Sequence, residues 1–240
     1  MNIVPQGYWD AGYHGHVVKS APDDDAISQL IKKYIPPALT GQQAFEIGCF
    51  PARFLCILGD LGYVLNGVDA TPNVIQLKES LEKLGYQVGG FENNKFQEIK
   101  NAKYDVVASF GFIEHFLNWE DVTKAHIEFL KPGGYLLITT PNFKGIFQYL
   151  YHWFLDNKNL KRHIVKSMSP KKWKLLLQQS GMKVIADGYT GYEFWDETPQ
   201  KNKIQRAIKK GIIKLADYVH RRKPTHQSIA SYCYIVAKNK

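Results

Sequence analysis

A short apolar strand, an acid, a glycine and the start of a helix follow one another in Gln43-Ala-Phe-Glu46-Ile-Gly48-Cys49-Phe50-Pro51-Ala-Arg-Phe-Leu55. No other stretch restricts the fold as much. It is the layout of a nucleotide-binding crevice in an open α/β sheet, where a tight turn lets the backbone approach a ligand. The next apolar run, Tyr63-Val-Leu-Asn-Gly-Val68-Asp69, ends in an acid. That acid lies about 20 residues beyond the turn, the separation at which such folds grip a ribose diol.

The rest of the chain alternates strand and helix. Strands are predicted at 44–47, 64–69, 86–91, 105–110, 135–140, 183–186 and 231–237, the third weakened by Gly89-Gly90. Helices are predicted at about 25–34, from Pro51 onward, at 71–84, at 119–130 and at 169–179. Pro51 suits a first helical turn, where its missing N–H costs nothing. Three segments lie outside this core: 1–40 as an N-terminal lid, and insertions at 142–168 and 190–228. The middle one is rich in aromatics and ends in Lys161-Arg162-His163. The last carries a basic amphipathic helix, with Ile204, Ile208, Ile212, Leu215 and Val219 on one side and Lys203, Arg206, Lys209, Lys210 and Lys214 around it. Additions to a rigid scaffold are where binding residues concentrate. An aromatic stripe at helical spacing is also what ordinary packing produces.

Two further motifs complete a set of four: Tyr104-Asp-Val-Val-Ala-Ser109-Phe-Gly111-Phe-Ile-Glu114-His115-Phe116 and Leu130-Lys-Pro132-Gly-Gly134-Tyr-Leu-Leu-Ile-Thr-Thr-Pro141-Asn142. In this order the four resemble the class I S-adenosylmethionine-dependent methyltransferases over about 44–185, within a single domain of 240 residues. The resemblance implies a doubly wound, mostly parallel, seven-stranded Rossmann-like α/β sheet with a reversed last strand. It implies S-adenosyl-L-methionine as cofactor and S-adenosyl-L-homocysteine as product. It assigns cofactor contacts to Glu46, Gly48, Cys49, Asp69, Ala70, Thr71, Asn94, Phe96, Ser109 and Phe110. Glu46 would hold the methionyl amino group and Asp69 the ribose hydroxyls; Asp69 could instead cap the following helix. The family's turn carries two more glycines, and here Phe50 and Ala52 stand in their places, so a non-catalytic cofactor-binding protein is the alternative. Acceptor contacts are expected from Tyr8, Trp9, Tyr13, His14, Asn142 and Tyr149. His163 is preferred for removing the acceptor's proton and His115 for support, since an imidazole is the usual base near neutral pH.

Composition narrows the partners. The net charge of +9 points to an anionic acceptor, or only to a basic surface. Contact of 201–222 with a membrane surface fits that charge. The expected reaction is O-methylation of a hydroxyl on a sugar, a lipid-linked molecule or another anionic metabolite. A nucleic-acid methyltransferase is the competing reading, weakened because Phe110-Gly111-Phe112 stands where base-amine methyltransferases carry a Pro-Pro-aromatic motif. A nicotinamide reductase would need Gly-x-Gly-x-x-Gly, which the turn lacks. No signal peptide or membrane span is read, and three widely spaced cysteines argue against disulfides and zinc and for a cytoplasmic location. No metal is expected.

Overall fold

The computed structural model describes residues 2–13, 15–100, 102–195 and 202–240. Seven strands, β1 (Gln43–Ile47), β2 (Val64–Asp69), β3 (Val88–Asn93), β4 (Tyr104–Phe110), β5 (Leu130–Pro141), β6 (Lys183–Thr190) and β7 (Tyr232–Lys238), form one sheet in the order β3-β2-β1-β4-β5-β7-β6. The first five pair in parallel, and β7 runs antiparallel to both β5 and β6. This is the sheet the resemblance implied. The helices are α1 (Gln6–Gly12), α2 (Ala26–Tyr34), α3 (Leu55–Asp60), α4 (Leu77–Lys83), α5 (Trp119–Ile127), α6 (Ile146–Leu155), α7 (Asn157–Lys161), α8 (Pro170–Gln179) and α9 (Lys203–His220).

Both faces of the sheet are covered, so the central strands are apolar on both sides, as parallel sheets require. The two-residue period sorts them. Ala44, Val106, Ala108 and Leu137 pack on one face with Ile31, Leu55 and Leu77. Phe45, Val107, Leu136 and Ile138 pack on the other with Phe143, Trp173 and Leu177.

Several boundaries differ from expectation for local reasons. α3 starts at Leu55 and not at Pro51, because Ala52 takes a left-handed backbone (φ 65°) that no helical residue can hold. β5 begins at Leu130. Tyr104 pairs with Leu130 and Val106 with Tyr135, so Lys131-Pro132-Gly133-Gly134 is a bulge within the strand. α9 does not bury one whole apolar stripe: Ala216 is buried, whereas Ile204 and Leu215 stand in solvent. The residue capping the turn after β2 is Thr71, whose Oγ1 accepts from Asn73 N–H; Asp69 is not the cap.

Gly89-Gly90, the weak point of the third strand, has a positive purpose. The β2–β3 ladder shifts register between Leu65 and Gly67. Asn66, between them, replaces the missing rungs with its side chain. Its Oδ1 accepts from Gly90 N–H at 2.9 Å, and its Nδ2 donates to Ala44 O at 3.3 Å and Val64 O at 3.1 Å. A Cβ on Gly89 would collide with the Asn66 amide. Asn66→Ala leaves the Gly90 N–H without this acceptor and should cost about 1–3 kcal/mol. Denaturant unfolding should show a lower midpoint with an unchanged slope; an unmoved midpoint would show that the clasp does not hold β3.

Candidate active site

The chain builds β1, β2 and β3 outward in one direction, then returns to place β4 on the other side of β1. The loops after β1 and β4 therefore part, and ligands of such folds bind in the crevice between them. A cleft of about 530 Å³ opens there.

The turn after β1 forms its floor. Gly48 has φ 75°, and a Cβ on it would lie 2.5 Å from the Phe112 ring, so glycine is required twice over. Gly48 N–H and Cys49 N–H both donate to Val68 O, at 2.9 and 3.3 Å. Phe50 N–H donates to Asp69 Oδ2 at 3.0 Å, and Thr71 N–H to Asp69 Oδ1 at 3.0 Å. The Asp69 carboxylate is thereby held at the end of β2, on the cleft wall. Glu46 is 4% exposed, and its Oε2 meets no hydrogen-bond partner among the described residues. Burial, and then the nearby Asp69, push its carboxyl well above the usual carboxylate range. A buried acid with an open oxygen beside a second acid is a site built for a cationic, hydroxyl-bearing ligand.

Seven of the ten expected cofactor residues line this cleft: Glu46, Gly48, Asp69, Ala70, Asn94, Phe96 and Phe110. Three do not border it. Cys49 is buried against Gly67, Thr71 is spent on its cap, and the buried Ser109 hydroxyl lies 2.9 Å from His126 Nε2. From the N-terminal segment, Trp9 and Tyr13 border the cleft. Trp9 meets His115 edge-on at 4.9 Å, Tyr13 meets Phe50 at 4.9 Å, and Ile3 N–H donates to His115 O at 2.8 Å. Of the other expected acceptor residues, Tyr8, Asn142 and Tyr149 are not on the wall. Tyr8 lies under the Arg162 guanidinium at 4.3 Å. Asn142 is buried, its Nδ2 donating to Gln227 O and Ala230 O at 2.7 and 2.9 Å. Tyr149 is exposed on α6. His14 lies outside the described residues. Phe112 and Arg53 line the cleft and were not singled out from the sequence. The place of Phe112 just after β4 was the available signal.

Comparison with known proteins agrees with this fold. Residues 22–187 match the family model described as a methyltransferase domain. The chain belongs to the class I S-adenosylmethionine-dependent methyltransferases. It is 26% identical over 191 residues to the mitochondrial ubiquinone biosynthesis O-methyltransferase of Rattus norvegicus, covering 71% of this chain and 54% of the relative. It thus spans about half the length of the curated relatives it matches. Among solved structures, a SAM-dependent methyltransferase from Thiobacillus denitrificans in complex with S-adenosyl-L-homocysteine covers 100% of both chains at TM-score 0.61 and 16% identity. One from Archaeoglobus fulgidus covers 89% of this chain and 93% of its own at TM-score 0.56 and 20% identity.

Two histidines of the methyltransferase, His115 and His163, are neighbours with unequal access. Their rings lie 4.7 Å apart. His115 lines the cleft, whereas His163 sits behind it, between His115 and Phe143. That placement runs against the preference for His163 as the group nearest an acceptor. Each ring has Nδ1 at 2.8 Å from a backbone carbonyl, His115 from Arg162 O and His163 from Asn159 O, which assigns the Nδ1 proton to that bond and the lone pair to Nε2. Glu114 adds a wholly buried carboxyl, 4.0 Å from His115 Nε2 and with no hydrogen bond among the described residues. The three residues bring one donor atom each within 4.8 Å of one another, a set that could hold a divalent cation. Cysteine spacing gave no hint of it, because no thiol takes part.

Burial drives the two ends of this cluster apart. It raises Glu114 to about 8 and lowers His163 to about 3, the latter helped by His115. Because the Glu114 value lies above its ordinary 4.5, the native state keeps a proton that the unfolded chain has lost. This contribution to stability is full below 4.5 and disappears as pH rises through about 8. Glu114→Gln should therefore gain melting temperature over the wild type between about pH 5 and about pH 9. A constant difference across that range would show that the carboxyl is ionised throughout.

Proposed function

We propose that this methyltransferase transfers a methyl group to the hydroxyl of a small, lipid-linked aromatic acceptor, with His115 receiving the proton. The observation that carries this reading is a fixed imidazole on the wall of the cofactor cleft. Its Nδ1 is tied to Arg162 O and its Nε2 lies 4.0 Å from a buried carboxyl. The aromatic wall made by Trp9, Phe110, Phe112 and Phe116 suits a flat ring. The curated relatives are named as O-methyltransferases of ubiquinone biosynthesis.

The cofactor supplies a methyl carbon already activated on a sulfonium. The protein's work is then to align the acceptor, exclude water and take one proton. Asp69 would bind the ribose hydroxyls and Glu46 the amino group, while Trp9 and Tyr13 cover the cleft. His115 Nε2 would take the hydroxyl proton of the acceptor as that oxygen receives the methyl group the cofactor would supply. Glu114 then faces an imidazolium, whose charge favours the carboxylate form. Holding the reactants in line can lower the barrier by several kcal/mol, up to about 7–11.

The surface of α6 and α9 supports the lipid-linked part. The two helices pack together. α6 leaves Trp153 and Phe154 about half exposed, and α9 leaves Ile204, Leu215 and Tyr218 in solvent beside Lys203, Arg206, Lys210 and Lys214. Large apolar groups among cations are what an interfacial helix presents to an anionic lipid surface. Among the described residues no helix is long and apolar enough to cross a membrane.

Two measurements test the reading. Asp69→Ala should weaken S-adenosylmethionine binding by about 1–3 kcal/mol. His115→Ala should keep that affinity and lower kcat on a phenolic acceptor by about 10²–10⁴. Retained turnover would remove the histidine base, and a larger loss in His163→Ala would return the role to His163. For the surface, vesicles containing phosphatidylglycerol should sediment the wild type but not Leu215→Asp/Lys214→Glu. The binding should weaken with salt, because charges at an aqueous surface are screened beyond about 8–10 Å. Equal sedimentation of both proteins would leave α9 a solvated helix.

A further inference from the structure

The amino-acid end of S-adenosylmethionine is a zwitterion. The acids of the cleft answer its ammonium group, and its carboxylate needs donors of its own. In open α/β folds a row of amides in the turn after the first strand can provide an anion site. In this chain positions 48–51 of that row offer a ligand no donor. Gly48 and Cys49 donate to Val68 O, Phe50 donates to Asp69 Oδ2, and Pro51 has no N–H. A charged side chain beside the turn can supply the donors that these positions lack.

Among the described residues, the lysines and arginines lining the cleft are Arg53 and Lys95. Lys95 follows Asn94 beyond β3, on the far side of Asp69 from the turn. Arg53 belongs to the turn itself, directly after the left-handed Ala52. Its position is fixed from three sides. Its carbonyl accepts from Ala21 N–H at 2.9 Å, and its guanidinium lies 4.7 Å over the Phe54 ring. Its Nη2 donates to Asp25 Oδ2 at 3.1 Å, and Asp25 is itself fastened as the N-cap of α2 by Ile27 N–H at 2.8 Å. The side chain is still 48% exposed. One edge of the guanidinium is thus anchored, and the remaining N–H donors of its planar fork are left for a ligand, the geometry that suits a carboxylate.

We propose that Arg53 binds the carboxylate of the cofactor's amino-acid end and replaces the amide donors that the Phe50-Pro51 turn no longer offers. The inference rests on the cofactor assignment and adds to it the residue that reads the carboxylate. It also explains how a turn without its second and third glycines still serves the cofactor: Glu46 takes the ammonium, Asp69 the ribose, and Arg53 the remaining charge.

The test compares two ligands by calorimetry on the full chain. One is S-adenosylhomocysteine, the other its decarboxylated analogue, which keeps the amino group. The wild type should bind the first about 10- to 100-fold more tightly, the range expected for a charge-assisted pair. Arg53→Met, which keeps the aliphatic stem, should lose that factor for S-adenosylhomocysteine while its affinity for the analogue stays within about twofold. Arg53→Lys should recover part of the loss. Equal binding of both ligands by the wild type would overturn the assignment to Arg53 without any variant, as would an equal loss of both in Arg53→Met. A wild type that binds neither would overturn the cofactor assignment and this inference together. Unliganded melting temperatures show whether the variants are folded; if Arg53→Met is not, the wild-type ratio and Arg53→Lys decide.

Discussion

Three N–H groups tie the turn after β1 to the end of β2: Gly48 and Cys49 to Val68 O, and Phe50 to Asp69 Oδ2. The remainder of the site depends on this knot. It sets the path of the turn over the crevice, and it needs glycine at 48, where a side chain would meet Phe112, and at 67, where one would meet Cys49. It also converts Asp69 from a free acid into a fixed wall of the cleft. Pulling the turn onto β2 spends amides that a ligand would otherwise use. A tight floor and a rich set of backbone donors are alternatives here, and the chain has the first.

The second constraint is the price of burial among Glu114, His115 and His163. A carboxyl without a hydrogen bond among the described residues is expensive to enclose, and it answers by holding its proton to about pH 8. His163, pressed between His115 and Phe143, answers in the opposite direction. One acid and one base are therefore both neutral over the physiological range, directly behind the ring that faces the cleft. Any charge arriving at His115 enters a region with little water to screen it, so its effect on both neighbours is large.

Much of the architecture could be read from residue order alone. The apolar runs of β1, β4 and β5 and the acid closing β2 stand out in the sequence. The methyltransferase fold followed from these, and the family match agrees with it. The errors fall where tertiary contact overrides a local rule. Pro51 advertises a helix start that Ala52 forbids. Pro132-Gly133-Gly134 reads as a loop but is absorbed as a bulge because β4 continues to pair beyond it. At the site, positions on the backbone were legible and side-chain directions were not. Ser109 and Cys49 stand at the expected places, yet both side chains face the interior. Asn142 looked like an acceptor contact because it follows β5, but its amide holds the loop before β7. Arg53 went unnoticed because its neighbours define it, and Asp25 and Ala21 are distant in sequence.

The clasp between Asn66 and the Gly89-Gly90 pair bears on how this sequence can diverge. The amide occupies the space that a Cβ at 89 would need, so the two positions are not free to drift separately. While Asn66 remains, Gly89 is confined to glycine. Once a smaller residue stands at 66, the vacated space admits a side chain at 89, and β3 can recover an ordinary alternating strand. Relatives of this chain should accordingly fall into two groups, one with the amide and the glycine and one with neither, and substitution should pass between them through the smaller residue at 66 first.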